Sequence, residues 1–225
     1  MKFNHVRIDD LKFDMKSKIS TQGRIYTTPD GKKYPSVTSV LGAFNKEFLE
    51  AWRLKVGEEE AKKISRLAAS RGTRLHNVCE KYLLNELDSF SYQSMMPDTK
   101  QLFLTLKNHL NTRVGKIYAL EQALYSDTLR VAGRVDCIAE WDGELSVIDF
   151  KTSTRTKRED WVQNYYMQCS LYAQMFEDLT KRPIERIVVL IAVEDDLFPQ
   201  ILIKEKTEYL ETAKKLIDEY YRLWY

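Results

Sequence analysis

Cysteine is scarce in this chain: Cys79, Cys137 and Cys169 are spread widely over 225 positions, with no Cys-x-x-Cys pair. An odd count without close spacing offers no disulfide framework, and it argues against a zinc site or a cysteine-held cluster. Long apolar runs are also missing, the longest falling far short of the roughly 18 residues that a membrane span needs. The first ten residues, MKFNHVRIDD, have no apolar signal core. These absences lead to the expectation of a soluble cytoplasmic protein with no membrane partner. Neither sign of charge is in excess, since 35 basic and 33 acidic side chains leave a net charge of +2. Such a balance does not announce nucleic acid, but an acidic pocket can still sit beside basic tracks, because only local charge matters there. Glycine and proline are few, at 8 and 5, and no stretch rich in Pro, Gly or Ser divides the chain. A single domain over residues 1–225 is expected, and 44% hydrophobic residues are enough for its core.

What is present falls into two parts. Residues 1–115 read as a hairpin followed by helices. GRIYTT, the turn Pro29-Asp30-Gly31 and KKYP make the hairpin over residues 23 to 35. Ser36 or Thr38 is placed to start the next helix. A strongly helical pattern runs from Asn45 to about Leu84, with Gly57 and Gly72 as interruptions, and Pro97-Asp98 opens a further helix with Asp98 as its N-cap. Residues 116–225 change character. Three strands are predicted at 117–126, 130–141 and 144–152, the last two joined by a tight turn at Asp142-Gly143. A helix over 158–179, a buried strand at 185–193, an edge strand at 198–204 and a closing helix complete the order. The closing helix ends in Tyr220, Tyr221, Trp224 and Tyr225, which are expected to cover the sheet. That order predicts an α/β fold with a mixed central sheet flanked by helices, and an N-terminal helical elaboration.

Asp149 and Lys151 lie two apart on a predicted strand, so their side chains share a face. Asp136 is on the partner strand of the same hairpin, from which its carboxylate can meet the other two. Paired carboxylates repel unless a cation or a proton separates them. A hard divalent cation such as Mg²⁺ answers that repulsion with oxygen ligands and keeps waters for chemistry. It acidifies a bound water and neutralises charge on a phosphate, while the lysine positions or deprotonates the nucleophile. A surface Asp-Lys pair on a solvated strand is the commoner origin of an isolated Asp-Phe-Lys, so the neighbours decide. His76 and Glu80, spaced i, i+4, share one side of their helix. Glu121 is an acid among apolar strand neighbours. Gln168 and Tyr172 are again i, i+4. Each is weak singly, but the ordered set is hard to obtain by chance.

That set resembles the RecB-type branch of the PD-(D/E)xK nucleases: His76, Glu121, Gly133-x-x-Asp136, Asp149-Phe150-Lys151-Thr152 and Gln168-x-x-x-Tyr172. The segment from Pro35 to Leu41, PSVTSVL, is similar to one in the mitochondrial genome maintenance exonucleases and their phage relatives. The resemblance implies a PD-(D/E)xK restriction-endonuclease-like core. It implies that His76, Asp136, Asp149 and the Phe150 carbonyl ligate Mg²⁺ or Mn²⁺, that Lys151 acts on the attacking water, and that Glu121 ligates through water or orients. Gln168 and Tyr172 would hold the DNA strand or the site geometry. Relatives with an iron–sulfur cluster carry four cysteines, and this chain does not, so no cluster is expected. The phage side of the family makes the cytoplasm of an infected host a fitting location.

Arg71 and the Ser36/Thr38 segment are further candidates to contact DNA. So is the TSTRTKR stretch, with Thr152 and Arg155, which follows the catalytic strand directly and is well placed to grip phosphates. One of Trp161, Tyr165 and Tyr166 is expected to stack on an unpaired base and the others to pack inside. The functional expectation is a metal-dependent DNA exonuclease that prefers single strands with a free end and leaves 5′-phosphates. A structure-specific endonuclease using the same residues is the alternative, as is a catalytically idle DNA-binding module, against which the intact Asp136, Asp149 and Lys151 argue. No metal-spaced Cys/His cluster and no glycine-rich phosphate loop support a deaminase or a kinase.

Overall fold

The computed structural model describes residues 2–224. The short β1 (Asn4–His5) adds a parallel edge to a much later strand. β2 (Lys16–Ser20), β3 (Gly23–Thr27) and β4 (Lys33–Pro35) form a small antiparallel sheet. β3 and β4 are the expected hairpin. β2 was not expected, because all five of its side chains are exposed and no apolar alternation marks it.

Ser36 ends β4 and starts α1 (Val37–Ala43), its hydroxyl accepting from the Ser39 amide at 3.0 Å. α2 (Lys46–Val56) and α3 (Glu58–Leu83) part at Gly57, whose φ of 87° no helix can contain. Gly72 does not interrupt as expected. It lies within α3, which buried Leu75, Val78, Cys79 and Leu83 hold in place just beyond it. After the short α4 (Ser89–Gln93), α5 (Pro97–Arg113) begins one residue before Asp98, with Met96 at the N-cap position and no side-chain cap. Pro97 occupies the first helical position, where a missing amide proton costs nothing, and Asp98 instead accepts from Thr99 and pairs with Arg74 at 2.6 Å.

β5 (Val114–Ser126), β6 (Val131–Trp141) and β7 (Glu144–Ser153) are the predicted meander. Asp142 and Gly143, at φ 53° and 85°, make the left-handed pair that a two-residue hairpin turn requires. The next helix begins later than predicted: a single 3₁₀ turn covers Glu159–Trp161, and α6 runs Gln163–Thr180. β8 (Arg186–Val193) follows, nearly all buried as suits a central strand, then the edge strand β9 (Gln200–Glu205) and α7 (Thr207–Trp224). The six-stranded sheet has the order β1-β5-β6-β7-β8-β9 and is mixed: β7 and β8 are parallel through the α6 crossover, the other central pairs antiparallel.

One face of this sheet packs against α1, α6 and α7, through Val37, Val40, Leu171, Phe176, Ile217 and Tyr220. The other packs against α5 and the C-terminal half of α3, through Leu75, Cys79, Phe103 and Leu106. Tyr220, Tyr221 and Trp224 join the first layer as expected; Tyr225 lies outside the described residues. Because α1 belongs to one face and the end of α3 to the other, the chain between them must cross over the sheet. Of residues 46–70, which make the crossing, only Ala61 is buried, while Phe48, Leu54 and Leu67 stand exposed.

The feature that positions the site is a fork. β6 and β7 pair from Trp141↔Glu144 to Cys137↔Ile148, and there the ladder stops. Beyond it β6 continues along β5, and β7 continues along β8 as far as Ser153↔Val193. Ser36 bridges to Ala132 on the edge of β6 that β7 has left.

Candidate active site

Asp136 and Asp149 are the first residues past the last paired rung, one on each prong of the fork. With no strand opposite, the Phe150 amide donates to Asp136 Oδ2 at 2.9 Å. A residue's N–H and C=O point to the same side of an extended strand, so the Phe150 carbonyl faces the fork as well. Period two puts Lys151 on the side of Asp149, and its ammonium touches Asp149 Oδ2. Gln168 on α6 donates to Asp149 Oδ1 at 3.0 Å. α3 lands on the opposite face of the prongs and brings His76 Nδ1 to 3.4 Å from Asp136 Oδ1. Ligand atoms of His76, Glu121 and Asp136 all lie within 4.8 Å of one another.

Burial and the charges of close neighbours set the electrostatics of the cluster. Burial pushes the Glu121 carboxyl up to about 7, aided by the Asp136 charge. Burial likewise carries Asp149 to about 6, against the pull of Lys151. Burial would raise Asp136 too, but His76, Lys151 and the Phe150 amide outweigh it and hold that carboxyl below its usual value. His76 is raised, burial being overcome by Asp136. Lys151 is raised as well, desolvation being outweighed by the Asp149 and Asp136 charges. A divalent cation fits this donor set. Two carboxylates and an imidazole converge, and Asp149, 1% exposed, has an Oδ2 with no hydrogen bond beside its contact with the lysine. The gathered trio is His76, Glu121 and Asp136; Asp149 faces it from the Lys151 contact, so Glu121 stands nearer to a ligand's place than the resemblance implied.

The same shifts give a pH dependence. Glu121, Asp149 and His76 have folded pKa values raised above their unfolded ones, so the folded state binds more protons and loses stability as pH rises through those values. The metal-free protein should therefore melt several degrees lower at pH 8 than at pH 5.5. Added Mn²⁺ should raise the melting temperature more at pH 8, where Glu121 is ionised, than at pH 5.5. Scanning calorimetry at both pH values with and without Mn²⁺ checks this, and a metal-free protein that gains stability across the range contradicts it.

The residues expected to contact DNA divide sharply. Arg155 and Trp161 are exposed, Trp161 by 64%; Arg155 follows β7 by two residues, whereas Trp161 lies in the 3₁₀ turn whose Glu159 pairs with Lys204 of β9. Thr152 is half-buried, 4.0 Å from where a Cβ on Gly72 would lie, so α3 does approach β7 closely there. Tyr165 rests against the Lys151 ammonium, which lies 5.1 Å from its ring centre, and Tyr166 is in the core. Tyr172, 3% exposed, lies over the β6 backbone, which suits the second of its two implied roles, holding the site geometry, better than contact with a strand. A Cβ on Gly133 would come 2.7 Å from its ring, which is why glycine occupies the Gly-x-x-Asp motif. Gly133→Ala should cost about 1–3 kcal/mol by overpacking, measurable as a lower urea midpoint and partly restored by adding Tyr172→Leu. Ser36 is the helix cap that the sequence offered. At 2% exposure its hydroxyl is spent on the helix cap and on Thr38 and Ser39. Thr38 is exposed, but in a cleft of about 420 Å³ lined by Gln22, Lys46 and Trp224, with none of the site carboxylates. Arg71 is mostly buried and paired with Glu194 at 2.8 Å.

A family model described as the PD-(D/E)XK nuclease superfamily matches residues 46–222 of this chain. The chain belongs to that superfamily. Nucleases of this superfamily use divalent metals, in keeping with the trio at the fork. The chain is also similar to curated proteins named Mitochondrial genome maintenance exonuclease 1. The human one is 34% identical over 136 residues, covering 55% of this chain and 38% of that protein. The Xenopus tropicalis one is 30% identical over 161 residues, covering 67% and 44%, and the mouse one 29% over 131 residues, covering 55% and 38%. The match thus spans less than half the length of each relative.

Proposed function

We propose that this PD-(D/E)XK nuclease is a divalent-metal-dependent exonuclease that hydrolyses phosphodiester bonds of single-stranded DNA from a free end. The observation that carries this reading is the fork, which brings Asp136, Asp149 and Lys151 together with His76 and Glu121. The exonuclease names of the relatives support it.

His76, Asp136 and Glu121, with the Phe150 carbonyl and Asp149 beside them, would hold Mg²⁺ or Mn²⁺. A cation bound there supplies charge neutralisation for the phosphate and a lowered pKa for water. Lys151, kept protonated by the two aspartates, hydrogen-bonds the attacking water or a phosphate oxygen and stabilises charge that grows in the transition state. Gln168 fixes the Asp149 carboxylate, and Tyr165 limits where the Lys151 ammonium can move. Arg155 and the neighbouring basic residues after β7 grip the strand's phosphates, and exposed Trp161 offers a face on which an unpaired base can stack.

The crossing helices over residues 46–70 form the cover under which the strand passes. Incubating purified protein with end-labelled linear single-stranded and duplex DNA, with Mg²⁺ or with EDTA, tests the reading. Mononucleotides or short products carrying 5′-phosphates are expected from the single strand, slow cutting from flush duplex and none in EDTA. Equal cutting in EDTA would overturn the metal dependence.

A further inference from the structure

Strand β5 changes face at Glu121. Its ladder neighbours Ala119 and Ile138 point toward the α6 layer, and Leu120 and Cys137 toward the α3 and α5 layer. Strict alternation would then send Glu121 to the α6 side. Its carboxylate instead meets His76, which comes from α3. Leu124, which alternation from Leu120 would put on the α3 side, lies in the α6 layer. Two successive side chains can share a face only where the backbone leaves the extended region, and Glu121 does so at φ 44°. Residues other than Gly, Asn and Asp seldom adopt that left-handed conformation, so something around it must hold it.

The holder visible in the structure is Arg134, on the facing strand and two residues before Asp136. Its Nη1 donates to the Glu121 carbonyl, and its Nη2 donates to Asp14 Oδ1 at 2.9 Å. Asp14 is itself anchored by accepting from the Met15 amide at 2.8 Å. We propose that Arg134, braced by Asp14, is a positioning residue: it holds the Glu121 main chain in the left-handed conformation that turns this carboxylate toward His76 and Asp136. The inference rests on the metal reading above and extends it to a residue that ligates nothing.

Charge and position predict opposite signs, which makes the test sharp. By charge alone, removing a cation beside a metal site tightens cation binding; by position, it loosens it. Metal-free wild type, Arg134→Gln, Asp14→Ala, Glu121→Gln and the double variant Arg134→Gln/Glu121→Gln are titrated with Mn²⁺ by calorimetry, without DNA. Melting curves confirm that each is folded. Asp14, 78% exposed at its side chain, is the variant least able to disturb folding.

Arg134→Gln should weaken Mn²⁺ binding about 10-fold, the scale on which groups behind ligands act, and Asp14→Ala should weaken it less. In the Glu121→Gln background Arg134→Gln should add no further loss, because the residue it positions is already gone. Unchanged or tighter binding by Arg134→Gln, or an equal loss in both backgrounds, overturns the proposal. If the wild type binds no Mn²⁺, the metal reading fails separately. A crystal structure of Arg134→Gln then decides: Glu121 returned to negative φ supports the clamp, and Glu121 still left-handed overturns it.

Discussion

Lys151→Ala is expected to cut DNA at least about 10²–10³-fold more slowly while still binding it, and Asp136→Asn to lose activity on the same scale. In the proposed reading Lys151 brings a fixed positive charge to the place where a phosphate's charge must rise. The removal of one such preorganised group costs about 10²–10³ in rate, and here the same change also frees Asp149 from its partner. The proposed grip on the substrate lies elsewhere, on the basic stretch after β7, so affinity in a filter-binding assay with Ca²⁺ should fall far less than turnover.

Asp149→Asn should also be inactive, and the two aspartate variants should differ in stability. The Asp149 carboxyl has a raised folded pKa, so its charge weakens the metal-free fold near neutral pH and Asn relieves that burden, whereas the Asp136 carboxyl is held below its usual value, so neutralising it forfeits the pull of His76, Lys151 and the Phe150 amide. Asp149→Asn should therefore be the more stable of the two at pH 8. Denaturant melts of the two metal-free variants separate these cases. If Lys151→Ala cuts DNA at the wild-type rate, the lysine is only the ion-pair partner of Asp149, and the proposed chemistry is wrong.

Much of this site could be read from local periodicity. Asp149 and Lys151 share a face because two is the period of a strand, and the hairpin turn at Asp142-Gly143 set Asp136 opposite them. His76 needed only the helix that carries it. Other parts were not legible because they depend on contacts between distant segments. β6 and β7 separate after Cys137↔Ile148, and Ser36 takes the edge of β6 that β7 has left; no local pattern states it. Glu121 reaches the site by breaking the strand alternation, so the sequence marks it only as an acid among apolar neighbours and carries no sign of Arg134. Tyr172 shares a helical face with Gln168, but which end of that face is sealed depends on Gly133 across the layer. β2, wholly exposed, left no apolar trace at all.

Covalently closed single-stranded circles should survive amounts of enzyme and Mg²⁺ that degrade the same sequence in linear form. The chain from α1 to the middle of α3 passes from one face of the sheet to the other, and the fork lies between its two landing points, Ser36 beside β6 and His76 over Asp136. Helices that bury only Ala61 contribute little to the core, so their length is not explained by packing. A strand that must pass beneath them enters by an end, which a circle lacks. Duplex DNA, with a persistence length of about 50 nm, cannot fold into such a passage as a flexible single strand can. Binding through phosphates should weaken steeply with salt. Replacing residues 46–70 by a short Gly/Ser linker should leave the fold largely intact and allow circles to be cut. Rapid cutting of circles by the unaltered protein, with the Lys151→Ala protein as the control for contaminating nuclease, would show that no end is needed and that the enzyme is an endonuclease working at the same fork.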